Sequence, residues 1–331
     1  MRAVRRLASL ETTAVITMGL VFGVIAGILG LILWYSGASG FSGLVMALAF
    51  SFVLLGIQWY FGPTLVRWIT HAREAKKGEY PEIQEMIYKL SKAAGIPVPK
   101  FYIVENPSPN AFAFGRTQGS SNIAVHTGLL GALNKDEIES VLAHEVGHIK
   151  HRDVIVMTVA SALPVMLYYI VLALGSGGRD RDRGAGSAMA VWFGAMLAQF
   201  LGSLLVLWLS RKREYYADAF SAYVTGKPVN LMSGLAKITY KVNPQAMPQS
   251  NAIRAFYIAD PGVAERQHIA EIARALDSKS DAQLAEAIAR EKSRGGMELL
   301  MTHPLTAKRL DALLKIKKEI GVLKIKKEIG A

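Results

Sequence analysis

Four long runs without a charged residue constrain this chain more than anything else in it. They cover residues 12–35, 41–61, 154–174 and 188–209. Roughly 20 apolar residues in a helix cross the hydrocarbon core of a bilayer, and a helix satisfies its own backbone there. Each run is therefore expected to be a transmembrane helix, in two hairpins. The first is too long for the apolar part of a signal peptide, typically about 7–15 residues. Trp34, Tyr35, Trp59 and Tyr60 stand at the ends of the first two, where interfacial aromatics gather. Pro164 is expected to kink the third.

Of the 331 residues, 51% are apolar and 19% charged, and the imbalance sits in those runs rather than in an oversized core. Cysteine is absent, so disulfides and thiolate ligands are excluded and any metal site must draw on His, Asp or Glu. Much of the net charge of +12 flanks the runs or falls at the end, where the octapeptide 314–321 recurs as 323–330. No zinc finger, phosphate loop or aromatic-basic strand pattern accompanies it. A lipid bilayer, not nucleic acid, is the expected partner. The amino terminus and the stretches after the second and fourth runs are basic. By the positive-inside rule the soluble parts then face the cytoplasm of a multi-pass plasma-membrane protein. Three arginines between the third and fourth runs count against that orientation.

The expected organisation is a first hairpin at 1–62, a soluble part at 63–153, a second hairpin at 154–210 and a second soluble part at 211–331. The fold class is mainly α with a small β-sheet. An amphipathic helix is expected at 81–94, with Ile83, Met86, Ile87 and Leu90 on one face. Strands are expected at 100–104 and 122–127. Between them Asn110, Ala111, Phe112 and Ala113 alternate small and aromatic side chains, which reads most simply as half a hairpin. Asn134 and Glu137 form a capping box for a helix striped by Ile138, Val141, Leu142 and Ile149.

That helix carries His144, Glu145 and His148. Positions i and i+4 share a helix face, so both imidazoles can point at one metal ion, and the glutamate between them can take a proton from water. The bland alternative is a buried helix with two histidines by chance. His151 is turned away from the shared face. Glu214 and Asp218 offer two carboxylates on one helical face, and either can bind a metal while the other supports a ligand imidazole. A two-span hairpin between the segments would return the chain close to where it left, bringing Glu214 level with His148.

Taken together, residues 110–113, the His-Glu-Val-Gly-His stretch with Arg152 and Asp153 beyond it, Glu214 with Asp218, and His303-Pro304 with Arg309 resemble the HtpX-type membrane zinc endopeptidases, relatives of the type I CAAX prenyl proteases. The resemblance covers nearly the whole chain. It implies a zincin-like (gluzincin) catalytic domain interrupted by the second hairpin, and one Zn2+ per chain. His144, His148 and Glu214 would be the ligands and Glu145 the catalytic base. Asp218 would orient a histidine, His303 stabilise the oxyanion and Arg309 support the carboxylates. Asn110, Ala111, Phe112 and Ala113 would hold extended substrate along an edge strand. The implied substrates are unfolded or damaged membrane proteins, in quality control under stress. A prenyl-protein protease and an inert membrane scaffold are the alternatives. The 260–296 connection looks longer than is usual in the family. Its apolar faces (Ile269, Ile272, Ala273 and Leu276, then Leu284 and Ile288) are expected to form a helical hairpin shielding the zinc site.

Overall fold

The computed structural model describes residues 40–176, 185–241, 281–294 and 298–328, with Ile269, Ile272, Ala273 and Leu276. The apolar run at 12–35 lies outside them. In chain order the elements are α1 (Gly40–Thr70), β1 (Arg73–Glu74), α2 (Pro81–Ala94), β2 (Lys100–Val104), β3 (Ala111–Phe114), β4 (Asn122–His126), α3 (Thr127–Ala132) and α4 (Lys135–Lys150). There follow α5 (Asp153–Ala160), α6 (Ala162–Ser176), α7 (Ala185–Thr225), α8 (Pro228–Lys241), α9 (Asp281–Arg294) and α10 (Thr306–Glu328). The chain divides into two compact units, Met1–Gly62 with Ile155–Leu209, and Pro63–Val154 with Ser210–Ala331.

Among the described residues two stretches, Asp153–Leu174 and Met189–Thr225, are long and apolar enough to cross a membrane, and most of each lies in the first unit. Only 22% and 11% of their most apolar windows are buried, unlike the core helices of a soluble domain. The run at 41–61 lies within α1, where Phe52, Val53, Ile57 and Phe61 are exposed. The third run is two helices, α5 and α6, with the break at Ser161. Pro164 accounts for it, because its ring clashes with the carbonyl four residues back, that of Ala160. A Cβ on Gly202 would stand 2.9 Å from Pro164 Cα, so α6 and α7 touch nearly backbone to backbone.

In the second unit a four-stranded sheet has the order β1-β2-β4-β3. β2 and β4 are parallel, and β1 and β3 pair antiparallel at the edges. The alternation in β3 sends Phe112 and Phe114 to one face with Tyr102 and Val104, and Ala111 and Ala113 to the other. The larger core joins Ile87 and Leu90 of α2, Ile103 and Ile123 of the sheet, Val141 and Leu142 of α4, and Leu231 and Leu235 of α8. Ile269, Ile272, Leu284 and Ile288 belong to this same core. Lys292 and Lys317 tie α9 to α10 through Asp311 (2.8 Å) and Asp281 (2.6 Å). The described apolar positions of the 260–296 connection thus pack into the core.

Candidate metal centre

The cap of α4 forms as the sequence suggests. Asn134 Oδ1 accepts from the Glu137 N–H at 2.9 Å, and Glu137 Oε2 accepts from the Asn134 N–H at 3.0 Å. Two features dock α7 against α4. Ser221 Oγ donates to the Ser140 carbonyl at 2.6 Å. A Cβ on Gly147 would stand 3.2 Å from Ala217 Cα, so no larger residue fits between the helices without displacement. The pairs 140/221 and 147/217 make α4 and α7 antiparallel, which sets Asp218 opposite His144 and Glu214 opposite His148.

His144 Nε2 and His148 Nε2 face each other at 3.0 Å. Glu214 Oε1 is 3.6 Å from the second and Oε2 3.8 Å from the first. Donors held about 2.0–2.2 Å from one ion stand no more than about 4.4 Å apart, and all three separations fall inside that limit. Each imidazole is backed by a carboxylate on its other nitrogen. Asp153 Oδ2 lies 2.6 Å from His148 Nδ1, and Asp218 Oδ1 lies 2.9 Å from His144 Nδ1, at an angle short of a regular hydrogen bond. A carboxylate only accepts, so with each ring's proton on Nδ1 both Nε2 lone pairs point at one another. Facing lone pairs repel unless a cation lies between them. The donor set of two neutral imidazoles and a carboxylate fits a divalent metal of the zinc type.

Arg309 is almost wholly buried and serves both carboxylates. Its Nε and Nη2 make a bidentate pair with Asp218 at 2.8 and 2.7 Å, and Nη1 lies 3.1 Å from Glu214 Oε2. Burial alone would raise the pKa of Glu214, but His303 and Arg309 outweigh it and hold this carboxyl well below the usual range. Burial opposes ionisation of Asp218 too, and Arg309 again lowers its pKa. His303 Nδ1 is 3.4 Å from Glu214 Oε1, and neither ring nitrogen has a hydrogen-bond partner among the described residues. Glu298 and Arg211 hold the loop that carries it. Glu298 accepts from the Leu305 N–H at 3.0 Å, and Arg211 donates to the carbonyls of Leu299 and Met301 at 3.2 and 2.7 Å.

Glu145 lies on α4 beside β3, and its Oε2 accepts the Ala113 N–H at 2.7 Å. Burial pushes its pKa up to about 7. The residues entering β3 are pinned by His126, whose N–H donates to the Asn110 carbonyl and whose Nδ1 donates to that of Ser108, both at 2.9 Å. Burial lowers the His126 pKa to about 4, so this ring is neutral.

His144, Glu145, His148, Glu214, Asp218, His303 and Arg309 thus converge, and β3 reaches them through Ala113. Asn110 and Ala111 are fully buried, and the Phe112 ring belongs to the core. Sequence reasoning named Asp153 and Gly147 only as motif residues without a role, and missed Arg211, Arg213 and Ala217. Arg211 and Arg213 read as membrane-flanking charge, yet Arg211 is buried and Arg213 donates to the His151 carbonyl at 2.5 Å and pairs with Asp153. The one available signal was the small residue within each motif, glycine before His148 and alanine before Asp218.

Known proteins resemble this chain throughout. A model of peptidase family M48 matches residues 78–317. The Protease HtpX homolog 2 of Methanosarcina acetivorans is 34% identical over 282 residues, covering 83% of this chain and 86% of that protein. The Protease HtpX homolog of Pyrococcus furiosus is 33% identical over 309 residues, covering 92% and 96%. Among solved structures, the crystal structure of S. mikatae Ste24p aligns with a TM-score of 0.53 at 19% identity, over 92% of this chain and 67% of that one. That likeness concerns the fold. The family match and the curated relatives carry the rest: the chain belongs to peptidase family M48, among the HtpX-type proteases.

Proposed function

We propose that the chain is a membrane-embedded, zinc-dependent endopeptidase, with His144, His148 and Glu214 holding one Zn2+ and Glu145 acting as general base. The observation that carries this reading is the facing pair of Nε2 atoms, each with a carboxylate at its back. When bound, zinc supplies a Lewis acid that polarises a peptide carbonyl. Glu145 is suited to take a proton from water near neutral pH, since its pKa stands at about 7. The Ala113 N–H fixes Oε2 and leaves Oε1 for that proton. His303 is free to donate to the developing oxyanion, and Arg309 keeps Glu214 and Asp218 ionised.

The edge position of β3 supports an extended polypeptide adding to the sheet, with its main chain doing most of the binding. That mode asks little of side chains and suits unfolded segments. With apolar helices on the same chain, the substrates that fit best are misfolded or damaged membrane proteins, cleaved on the cytoplasmic side. A prenyl-protein protease would use the same chemistry. Preference for a farnesylated peptide over its unmodified twin would favour that reading.

The test is zinc content and casein cleavage of detergent-purified protein with and without a chelator. The Glu145→Gln variant should retain zinc and lose about 10²–10⁴-fold in rate. Wild-type cleavage by folded, zinc-loaded Glu145→Gln protein would remove the base assignment. Glu214→Ala should weaken zinc binding more than Asp218→Ala, whose loss should be about 10–100-fold. The reverse order would overturn the ligand set.

A further inference from the structure

We infer that Asp153 and Arg213 are positioning residues for His148, joined in one relay that runs from the start of α5 to the second half of α7. The inference rests on the reading of His148 as a metal ligand. The relay begins with a turn. α4 ends at Lys150, Arg152 takes a left-handed conformation with φ 57, and α5 starts at Asp153. A non-glycine residue seldom adopts that region, so the surrounding contacts must hold it. The turn swings the Asp153 carboxylate back beneath the helix it has just left, 2.6 Å from His148 Nδ1.

Asp153 Oδ1 is in turn occupied by the Arg213 guanidinium. The same Nη2 also donates to the carbonyl of His151, the residue capping α4. Arg213 therefore holds both the carboxylate and the turn that presents it. Both side chains are largely buried, at 12% and 16% exposure, where an unpaired charge is costly. Without Arg213 the carboxylate has reason to reorient. That releases the Nδ1–H of His148, and with it the ring orientation that presents Nε2 as a donor atom.

The position of the pair along the chain gives it a second task. Asp153 is the first residue of the apolar stretch Asp153–Leu174, and Arg213 stands four residues past Leu209, where the chain re-enters the second unit. One ion pair thus fastens the chain where it departs toward the apolar helices and where it returns. Metal retention is therefore tied to the closure of that excursion. Arg213 makes no direct contact with His144, His148 or Glu214 among the described hydrogen bonds and ion pairs, so its effect on the metal would have to travel through Asp153.

The experiment uses full-length protein in detergent micelles. Zn2+ affinity is read by competition with a chromophoric chelator, and ligand geometry by the visible absorption of the Co2+-substituted protein. His148→Ala is the control. Asp153→Asn and Arg213→Met should each weaken Zn2+ binding by about 10–100-fold and alter the Co2+ bands. Arg213→Lys should fall between Arg213→Met and wild type. The double variant should be no weaker than Asp153→Asn alone, because both changes cut the same relay. Wild-type affinity and spectrum in Arg213→Met would overturn the relay. Should that variant not fold, measurable losses in Arg213→Lys and Asp153→Asn that add in full in the pair, or wild-type affinity and spectrum in Asp153→Asn, would overturn it instead. Wild-type affinity in His148→Ala would remove the ligand reading itself, and the relay with it.

Discussion

α7 is one continuous helix of 41 residues, and its two halves solve opposite packing problems. The first half exposes Trp192, Phe193, Leu197 and Trp208, and its close helix approach is Gly202 on Pro164. The second half buries Glu214, Asp218 and Ser221, and its close helix approach is Ala217 on Gly147. Both contacts depend on a missing side chain. In the first half, close approach serves van der Waals packing alone, as suits a helix surrounded by hydrocarbon. In the second it brings charged groups within reach of one another. Small residues at a helix crossing therefore do not reveal what the crossing is for. The polarity of the residues one turn away does.

The sharpest way to break this contrast is Arg309→Met, which removes the one cation serving both Glu214 and Asp218. Breaking a buried pair from one side costs about 3–5 kcal/mol. Chemical denaturation should show that loss in the metal-free protein. A cost under about 1 kcal/mol would mean the second half of α7 carries its charges more cheaply than its burial implies.

Acid should separate the two halves. His126 has its pKa lowered from 6.5 to about 4 by burial, so the unfolded chain binds its proton first. Its stabilisation is complete above pH 6.5 and is lost as pH falls from there toward 4, a gap worth about 3 kcal/mol. Glu214 and Asp218, both lowered, contribute above their unfolded values and lose that contribution only as pH falls further, through their folded pKa. Glu145, raised to about 7 by burial, gains stability as pH falls through the same window and offsets much of the His126 loss. Hydrogen exchange, corrected for intrinsic rate, should therefore rise in peptides from 210–225 and 122–126 only below about pH 4. Peptides from 190–205 should stay protected. Equal deprotection of both halves would erase the distinction.

The smallest effect is a matched pair of alanines. Overpacking typically costs about 1–3 kcal/mol and helix propensity returns about 1, so Gly147→Ala and Gly202→Ala should both be folded and slightly destabilised. The difference should lie in zinc affinity, lowered by Gly147→Ala and untouched by Gly202→Ala. Equal affinities would show that the centre tolerates a displaced α7.

Much of this could be read in advance, for identifiable reasons. The capping box at Asn134 and Glu137, the strand at 100–104 and the helix at 81–94 are local patterns, and local patterns survive folding. The His-Glu-Val-Gly-His face follows from helical geometry alone. Arg211 and Arg213 show where this fails. Beside an apolar run they look like membrane-flanking charge, yet the structure turns them inward to a loop and to a turn 60 residues away. The segment at 260–296 was legible only in part. Its amphipathic faces are real, but a face does not say which surface it meets, and here it meets α10 and the core.

β3 has one further consequence. It is the last strand in the sheet, four residues long, and its outer edge has no strand partner among the described residues. Such an edge is a template for any extended chain, including another copy of this protein. On the proposed reading this edge receives substrate and cannot be closed off, so self-association must be limited by other means. Brevity is one. The hydrogen bond from Ala113 to Glu145 is another, because it removes a donor from the ladder at the point where two copies would have to register. The group that prepares the site for chemistry thus also shortens the stretch on which the enzyme could aggregate.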